Sequence, residues 1–191
     1  MIVLILGLIL FLGVHSISIF NVSWRNQMVT RYGEQRFKGI YSLVALAGFV
    51  LIVWGYGLAR MEPVVVYNPP FWLRHVAMLL LIPVFPLLVA AHLPSRIGNI
   101  VKHPMLVAVK LWALAHLLAN GMLADLLLFG AFLGWAVADR ISVKKRPVTP
   151  GTPPPTGVRN DIIVIVAGLA LFIVFSLWLH AWLIGVAPIA R

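Results

Sequence analysis

Long apolar runs separated by short polar segments constrain the fold of this chain more than any other feature. A helix needs ~20 apolar residues to cross the hydrocarbon core of a bilayer. Most of the runs approach that length, and the two shorter ones, the fourth and fifth, are consecutive. We therefore predict an all-α protein, a polytopic membrane helical bundle with six transmembrane helices, which forms a single transmembrane domain over residues 1–191. The runs cover residues 1–21, 39–58, 71–92, 104–120, 122–138 and 162–186.

Composition and charge support a membrane location and indicate an orientation. The chain is 62% hydrophobic and 10% charged, whereas soluble domains are about half apolar and a quarter charged. The net charge of +10 does not indicate nucleic-acid binding, because the basic residues lie between the apolar runs, where topology accounts for them. By the positive-inside rule three loops are cytoplasmic and both termini lie outside. Those loops hold Arg25, Arg31, Arg36, Lys38, Arg96, Lys102, Arg140, Lys144, Lys145, Arg146 and Arg159.

Several connecting features follow from glycine and proline. Residues 140–160 form a proline-rich cytoplasmic loop before the sixth helix. Pro83 and Pro86 predict a kink in the third helix. Asn120-Gly121 predicts a tight turn between the fourth and fifth helices, with a backbone suited to positive φ. The first 20 residues have no basic segment ahead of them and no small-residue cleavage site, so we expect a retained helix rather than a signal peptide.

Histidines are the residues most suited to chemistry in this chain. The absence of cysteine excludes disulfides, thiolate-ligated haem and thiol catalysis. Of the six histidines, His15 and His116 lie nearest the middle of an apolar run, whereas His75, His92 and His180 lie near run ends, where histidine is commonly an interfacial residue. A buried neutral imidazole still needs partners for one donor and one acceptor. We therefore expect His15 and His116 to have a function.

The segment of residues 102–121 concentrates polar groups on two faces of one helix. At 100° per residue, His103 and Lys110 lie about 20° apart. Trp112, His116 and Asn120 share a different face. Polar residues on two faces predict a central helix with neighbours on both sides. Lys110 either extends its ammonium group to the cytoplasmic interface or binds an anionic group.

Two deep histidines on different helices, in a chain without cysteine, suggest a pair of axial ligands to a haem iron. His15 and His116 are the predicted ligands, and His103, at a depth closer to that of His15, is the reserve ligand. Gly7 and Gly13 would allow a macrocycle to approach the first helix. Cationic partners for the propionates would come from Arg25, Arg74 or Lys102.

Three runs of the sequence carry a resemblance to a known family. HPMLVAVKLWALAHLLANG, GLILFLGVHS and WRNQMVTRYGEQRFKGIYSL resemble the NnrU family, bacterial membrane proteins associated with nitrite and nitric oxide reduction in denitrification. That family is similar to 15-cis-zeta-carotene isomerase, a membrane enzyme with histidine-ligated haem b. The resemblance implies haem b, ligands at His15 and His116, a multi-pass location in the bacterial inner membrane and a hydrophobic small-molecule substrate. Ala113 stands where the isomerase pattern has a cysteine.

Two other functions fit parts of the sequence. Lys102 to Leu106, KHPML, partly matches a motif of methyltransferases that resemble the isoprenylcysteine class, in which His103 would contact S-adenosylmethionine. That class has paired glutamates beyond its last hairpin, where this chain offers only Asp139. The third interpretation is a non-enzymatic assembly factor or carrier for a respiratory or denitrification complex.

Overall fold

The computed structural model describes residues 1–146 and 156–188, which form helices joined by turns and, between residues 62 and 72, by a longer connecting segment. A single π-helical turn, Phe175–Leu179, interrupts the last long helix. The helices are α1 (Ile2–Phe20), α2 (Val22–Tyr32), α3 (Glu34–Met61), α4 (Leu73–Leu81), α5 (Val84–Ala90), α6 (Arg96–Val101), α7 (Pro104–Ala119), α8 (Leu123–Lys145), α9 (Val158–Val174) and α10 (His180–Ile184).

Four helical stretches are long and apolar enough to cross a membrane: Glu34–Met61, Leu73–Ala90, Leu123–Lys145 and Val158–Ile184. The apolar section of α1, Ile2–His15, and the whole of α7 are shorter. An all-helical protein of membrane type is therefore confirmed. Six spans and the sides of the termini stay predictions.

The chain divides into two compact units. Unit 1 comprises Met1–Pro69 and Ala119–Pro147, and unit 2 comprises Pro70–Leu118 and Val148–Arg191. The single transmembrane domain stays a prediction. The proline-rich part of the predicted loop over residues 140–160 lies outside the described residues, and α8 continues as far as Lys145.

Unit 1 is organised around close packing of α1 against α3. A Cβ on Gly7 would lie 2.6 Å from the backbone nitrogen of Ile52, and one on Gly48 would lie 2.7 Å from that of Phe11. Small residues allow such an approach between membrane helices. The expectation that Gly7 would admit a macrocycle is wrong, because the backbone of α3 occupies that space. Gly13 has no neighbour within 4 Å of its Cβ position among the described residues.

In the segment before α8, Gly121 is required for a different reason from the one that the sequence predicts. Gly121 does not have a positive φ. Its carbonyl accepts hydrogen bonds from the backbone N–H groups of Val66 (2.9 Å) and Tyr67 (3.2 Å), and the Tyr67 carbonyl occupies the place that a Cβ would take. Glycine is needed here for the close approach of two backbones.

Unit 2 contains the break predicted from proline. The third apolar run is two helices, α4 and α5, separated at Pro83, because proline has no N–H to continue the helical ladder. Pro86 lies directly against Gly168 of α9. Val84, Leu87 and Ala108 form a buried core that Trp112 covers. This core holds α5 beside α7.

A strained turn leads into α7. Lys102 has φ 65° and ψ −40°, and the N–H of His103 bonds to the carbonyl of Val101 at 2.8 Å. This i to i+2 bond about a residue with positive φ is a γ-turn of the rare, strained kind. Strained backbone occurs most often at functional sites. This γ-turn at Lys102 redirects the chain sharply between the end of α6 and Pro104, the first residue of α7.

Candidate histidine site

His116 lies near the C-terminal end of α7 in unit 2 and is partly buried. Its Nδ1–H donates to the carbonyl of Trp112, one turn earlier, at 2.8 Å. A carbonyl oxygen only accepts, so Nδ1 carries the proton. In the neutral ring the lone pair therefore lies on Nε2, which is the nitrogen that would bind a metal.

His180 faces His116 within the same unit. The two ring centroids are 6.5 Å apart and the ring planes differ by only 21°. Nδ1–H of His180 donates to the carbonyl of Val186 at 2.7 Å. This bond forms because Gly185, with φ 76°, turns the chain back after α10. His180 therefore has the same tautomer as His116.

Aromatic rings surround this pair. Trp112 lies 5.3 Å from His116, and Phe175 lies 5.7 Å from His180 with its plane almost perpendicular. Phe85 of α5 contacts Phe175 at 5.3 Å. The two imidazoles thus lie in an apolar, aromatic environment of the type that suits a porphyrin.

His15 lies in unit 1 with aromatic neighbours of its own. Its Nδ1–H donates to the carbonyl of Phe11 at 2.6 Å, which places the lone pair on Nε2. The Phe11 ring stacks on His15 at 4.3 Å, and Tyr41 and Trp135 approach edgewise at 5.3 and 6.0 Å. The N–H group of this imidazole therefore has its acceptor within its own helix, α1.

Trp135 completes this cluster with an unusual feature. Its indole Nε1–H is buried and makes no hydrogen bond to any residue within 1–146 or 156–188. A buried donor without a partner is costly, about 1–3 kcal/mol. An acceptor at this position, such as a ligand oxygen or a water, would remove that cost.

The other predicted residues have separate environments. In unit 2, His103 follows the γ-turn at Lys102, and its carbonyl accepts from the N–H of Val107 at 3.2 Å. Lys110 lies partly buried within α7. Asn120 belongs to unit 1, and its carbonyl accepts the Tyr67 hydroxyl at 2.8 Å. Lys110, Trp112 and His116 thus share α7, and His103 directly precedes it.

Within the described residues, no group of three or more His, Asp or Glu side chains is arranged to hold a metal ion. A metal bound by a pair of imidazoles alone would lack most of its ligands. A porphyrin supplies four nitrogen ligands of its own, so it needs only one or two imidazoles from the protein. The donor set therefore fits haem better than a free metal ion.

Comparison with known families identifies the chain. The model of the NnrU protein family matches residues 3–188, which is nearly the whole sequence. The chain belongs to the NnrU family. No curated protein and no solved structure matches it.

In this NnrU-family protein the two predicted ligands belong to different units, His15 to unit 1 and His116 to unit 2. Their pairing stays a prediction. What the structure brings together is His116 and His180, and His180 was assigned to the interface because it lies near the end of the sixth apolar run. The π-helical turn that precedes it has no signature in the sequence.

A polar contact in unit 1 was also missed. Asp125 is only 3% exposed, and one of its carboxylate oxygens accepts the Tyr56 hydroxyl at 2.5 Å. The other accepts the N–H of Met122 at 3.3 Å. This bond and the position of Asp125 in the first turn stabilise the N-terminus of α8. Tyr56 could not be paired with it from the sequence, because the two residues are far apart in the chain.

Asp139 and Tyr67 have structural partners as well. Asp139, the carboxylate considered for the methyltransferase motif, lies 3.3 Å from the guanidinium of Arg146, which also donates to the Ser18 carbonyl at 2.8 Å. Desolvation, followed by the nearby Asp125 charge, raises the pKa of the Tyr67 phenol. Tyr67 therefore stays protonated as a donor to Asn120 at all ordinary pH values.

Proposed function

We propose that this NnrU-family membrane protein binds haem b, which the imidazole of His116 would hold through its iron. The observation that carries the proposal is the bond from Nδ1–H of His116 to the Trp112 carbonyl at 2.8 Å. It fixes the tautomer and the ring direction, as is usual for metal-binding histidines. The aromatic surroundings of the ring support the same assignment.

A second imidazole would complete the coordination of the iron. The resemblance to the isomerase implies His15 for this role, and the bond of its Nδ1–H to the Phe11 carbonyl fits a ligand equally well. When bound, the haem would supply one-electron redox chemistry in an apolar environment. The Nδ1–H bonds of His15 and His116 orient the two rings, and in the neutral form the lone pair of each ring is on Nε2.

The biological role proposed with this cofactor follows the resemblance. It is redox or isomerase-like chemistry on a hydrophobic small molecule, or a contribution to nitrite and nitric oxide metabolism beside a respiratory or denitrification complex. The location would be the bacterial inner membrane, with several spans. Ala113 removes the cysteine of the isomerase pattern, so any redox control in this protein would not use a thiol.

Absorbance of the purified protein tests the proposal. Full-length protein produced with added haem precursor and purified in detergent should show a Soret band, and paired α and β bands on reduction. His116→Ala should lower haem retention at least about tenfold, since even partners of a metal ligand change affinity by 10–100-fold. His75→Ala is the matched control, because His75 lies in the same unit and is exposed.

Other outcomes would assign the alternatives. A colourless protein that S-adenosylmethionine stabilises against heat would favour the methyltransferase, with Lys102 and His103 at its binding site. A colourless protein that responds to neither ligand would favour the assembly factor. A Soret band that His116→Ala leaves unchanged would contradict His116 as the ligand.

A further inference from the structure

The rings of His116 and His180 are farther apart than rings that stack in direct contact. Phe11 and His15 stack directly at 4.3 Å, whereas the two imidazoles are nearly parallel at 6.5 Å. That distance is near the upper limit at which aromatic rings attract each other. The rings are therefore nearly parallel but too far apart for direct stacking contact.

The separation matches two imidazoles on opposite sides of one metal ion. A metal–nitrogen bond of about 2.1 Å, plus about 1.1 Å from the nitrogen to the ring centre, would put the two centroids about 6.4 Å apart in a linear arrangement. The measured distance is 6.5 Å. Both rings also have Nδ1–H bonded to a backbone carbonyl, so the metal-binding nitrogen of each is Nε2.

The local backbone is built to place His180. The π-helical turn Phe175–Leu179 ends immediately before His180. Such a turn adds one residue to an α-helix and rotates everything that follows relative to the preceding face. Gly185 then reverses the chain and brings the Val186 carbonyl to the His180 ring. Two departures from regular helix, one on each side, thus fix this side chain.

We infer that His180 is the axial ligand opposite His116, an assignment that rests on the proposed haem function. It takes the place that the resemblance gives to His15. His15, stacked on Phe11, would then only pack within the aromatic cluster of unit 1. The cofactor would lie within unit 2, between α7 and the helix that carries His180.

The spin state of the iron tests the inference in the full-length protein loaded with haem b. The wild type should be low-spin and six-coordinate by absorbance and electron paramagnetic resonance. His180→Ala should become high-spin, and added imidazole should restore the low-spin spectrum by occupying the vacated position. That rescue shows that the fold around the haem is intact.

A second variant keeps the test decisive if His180→Ala does not accumulate. His180→Met places a thioether at the same position, and histidine–methionine ligation raises the reduction potential of haem. An unchanged potential in His180→Met, or a low-spin spectrum in His180→Ala without added imidazole, would overturn the inference. If His15→Ala becomes high-spin instead, the second ligand is His15. A wild type without a Soret band would refute the proposed function itself.

Discussion

The two units surround a partly buried histidine differently. In unit 1, His15 stacks on Phe11 at 4.3 Å, and Tyr41 and Trp135 approach its edges. In unit 2, His116 faces His180 across 6.5 Å. Both histidines have the same bond from Nδ1–H to the i−4 carbonyl. The tautomer is therefore common to the two histidines, which differ in the spacing of the neighbouring ring.

The difference extends to the backbone. Unit 1 depends on regular helices in close contact, with α1 against α3 through glycine. Unit 2 has irregular backbone within its apolar helical stretches, at the break at Pro83 and the π-helical turn, and positive φ at Lys102 and Gly185, whereas the positive-φ residue of unit 1, Gly33, lies between two helices. Irregular backbone within membrane helices commonly lines binding sites. This contrast favours unit 2 as the location of the proposed haem.

The largest effect is expected from removing the extra residue of the π-helical turn. Deletion of Trp178, whose side chain is 54% exposed, should restore regular helix and rotate His180 by about 100° around the axis. The low-spin spectrum of haem-loaded protein should be lost. Trp178→Ala is the matched control, because it removes the same side chain and keeps the register. Equal spectra for the deletion and the control would show that the turn does not position His180.

The sequence predicted the membrane class, the helical content and the break at Pro83, because these follow from local composition and from the chemistry of proline. It did not predict α2 and α6, which lie in the short polar segments between apolar runs. Asn21 and Ser95 cap these helices by accepting the N–H groups of Trp24 and Gly98. Such caps can be recognised in a sequence, but they do not by themselves specify a helix.

The candidate site was predicted only in part. His116 was identified because a polar residue in an apolar run is costly. His180 was not, because its position depends on the π-helical turn and on Gly185, which change the direction of the side chain without changing the hydrophobic pattern. Gly121 was predicted to serve a turn with positive φ, although its role is to allow close contact with the backbone of Tyr67. Properties that depend on tertiary contacts are not visible in local sequence.

The next largest effect concerns the packing of unit 1. Gly7→Ala would place a methyl group 2.6 Å from the Ile52 backbone nitrogen, and overpacking of this kind costs about 1–3 kcal/mol. Gly13→Ala meets no atom within 4 Å among the described residues, so it should gain about 0.5–1 kcal/mol from helix propensity. Thermal unfolding followed by circular dichroism in detergent should therefore shift in opposite directions. Shifts of the same sign would contradict the close packing of α1 on α3.

The smallest effects compare polar contacts in the two units. Tyr56→Phe removes a donor from Asp125, which is only 3% exposed, and a buried acceptor that loses its partner costs about 1–3 kcal/mol. Arg96→Gln in unit 2 breaks a 3.8 Å ion pair with Asp161 in which the arginine side chain is 59% exposed. Exposed pairs contribute about 0–1 kcal/mol, and the backbone N–H of residue 96 would still bond to Asp161. The midpoint of thermal unfolding should thus fall clearly for Tyr56→Phe and little for Arg96→Gln. The reverse order would mean that the Tyr56 hydroxyl is not a structural contact, and that the Asp125 oxygen it bonds has a different donor in the folded protein.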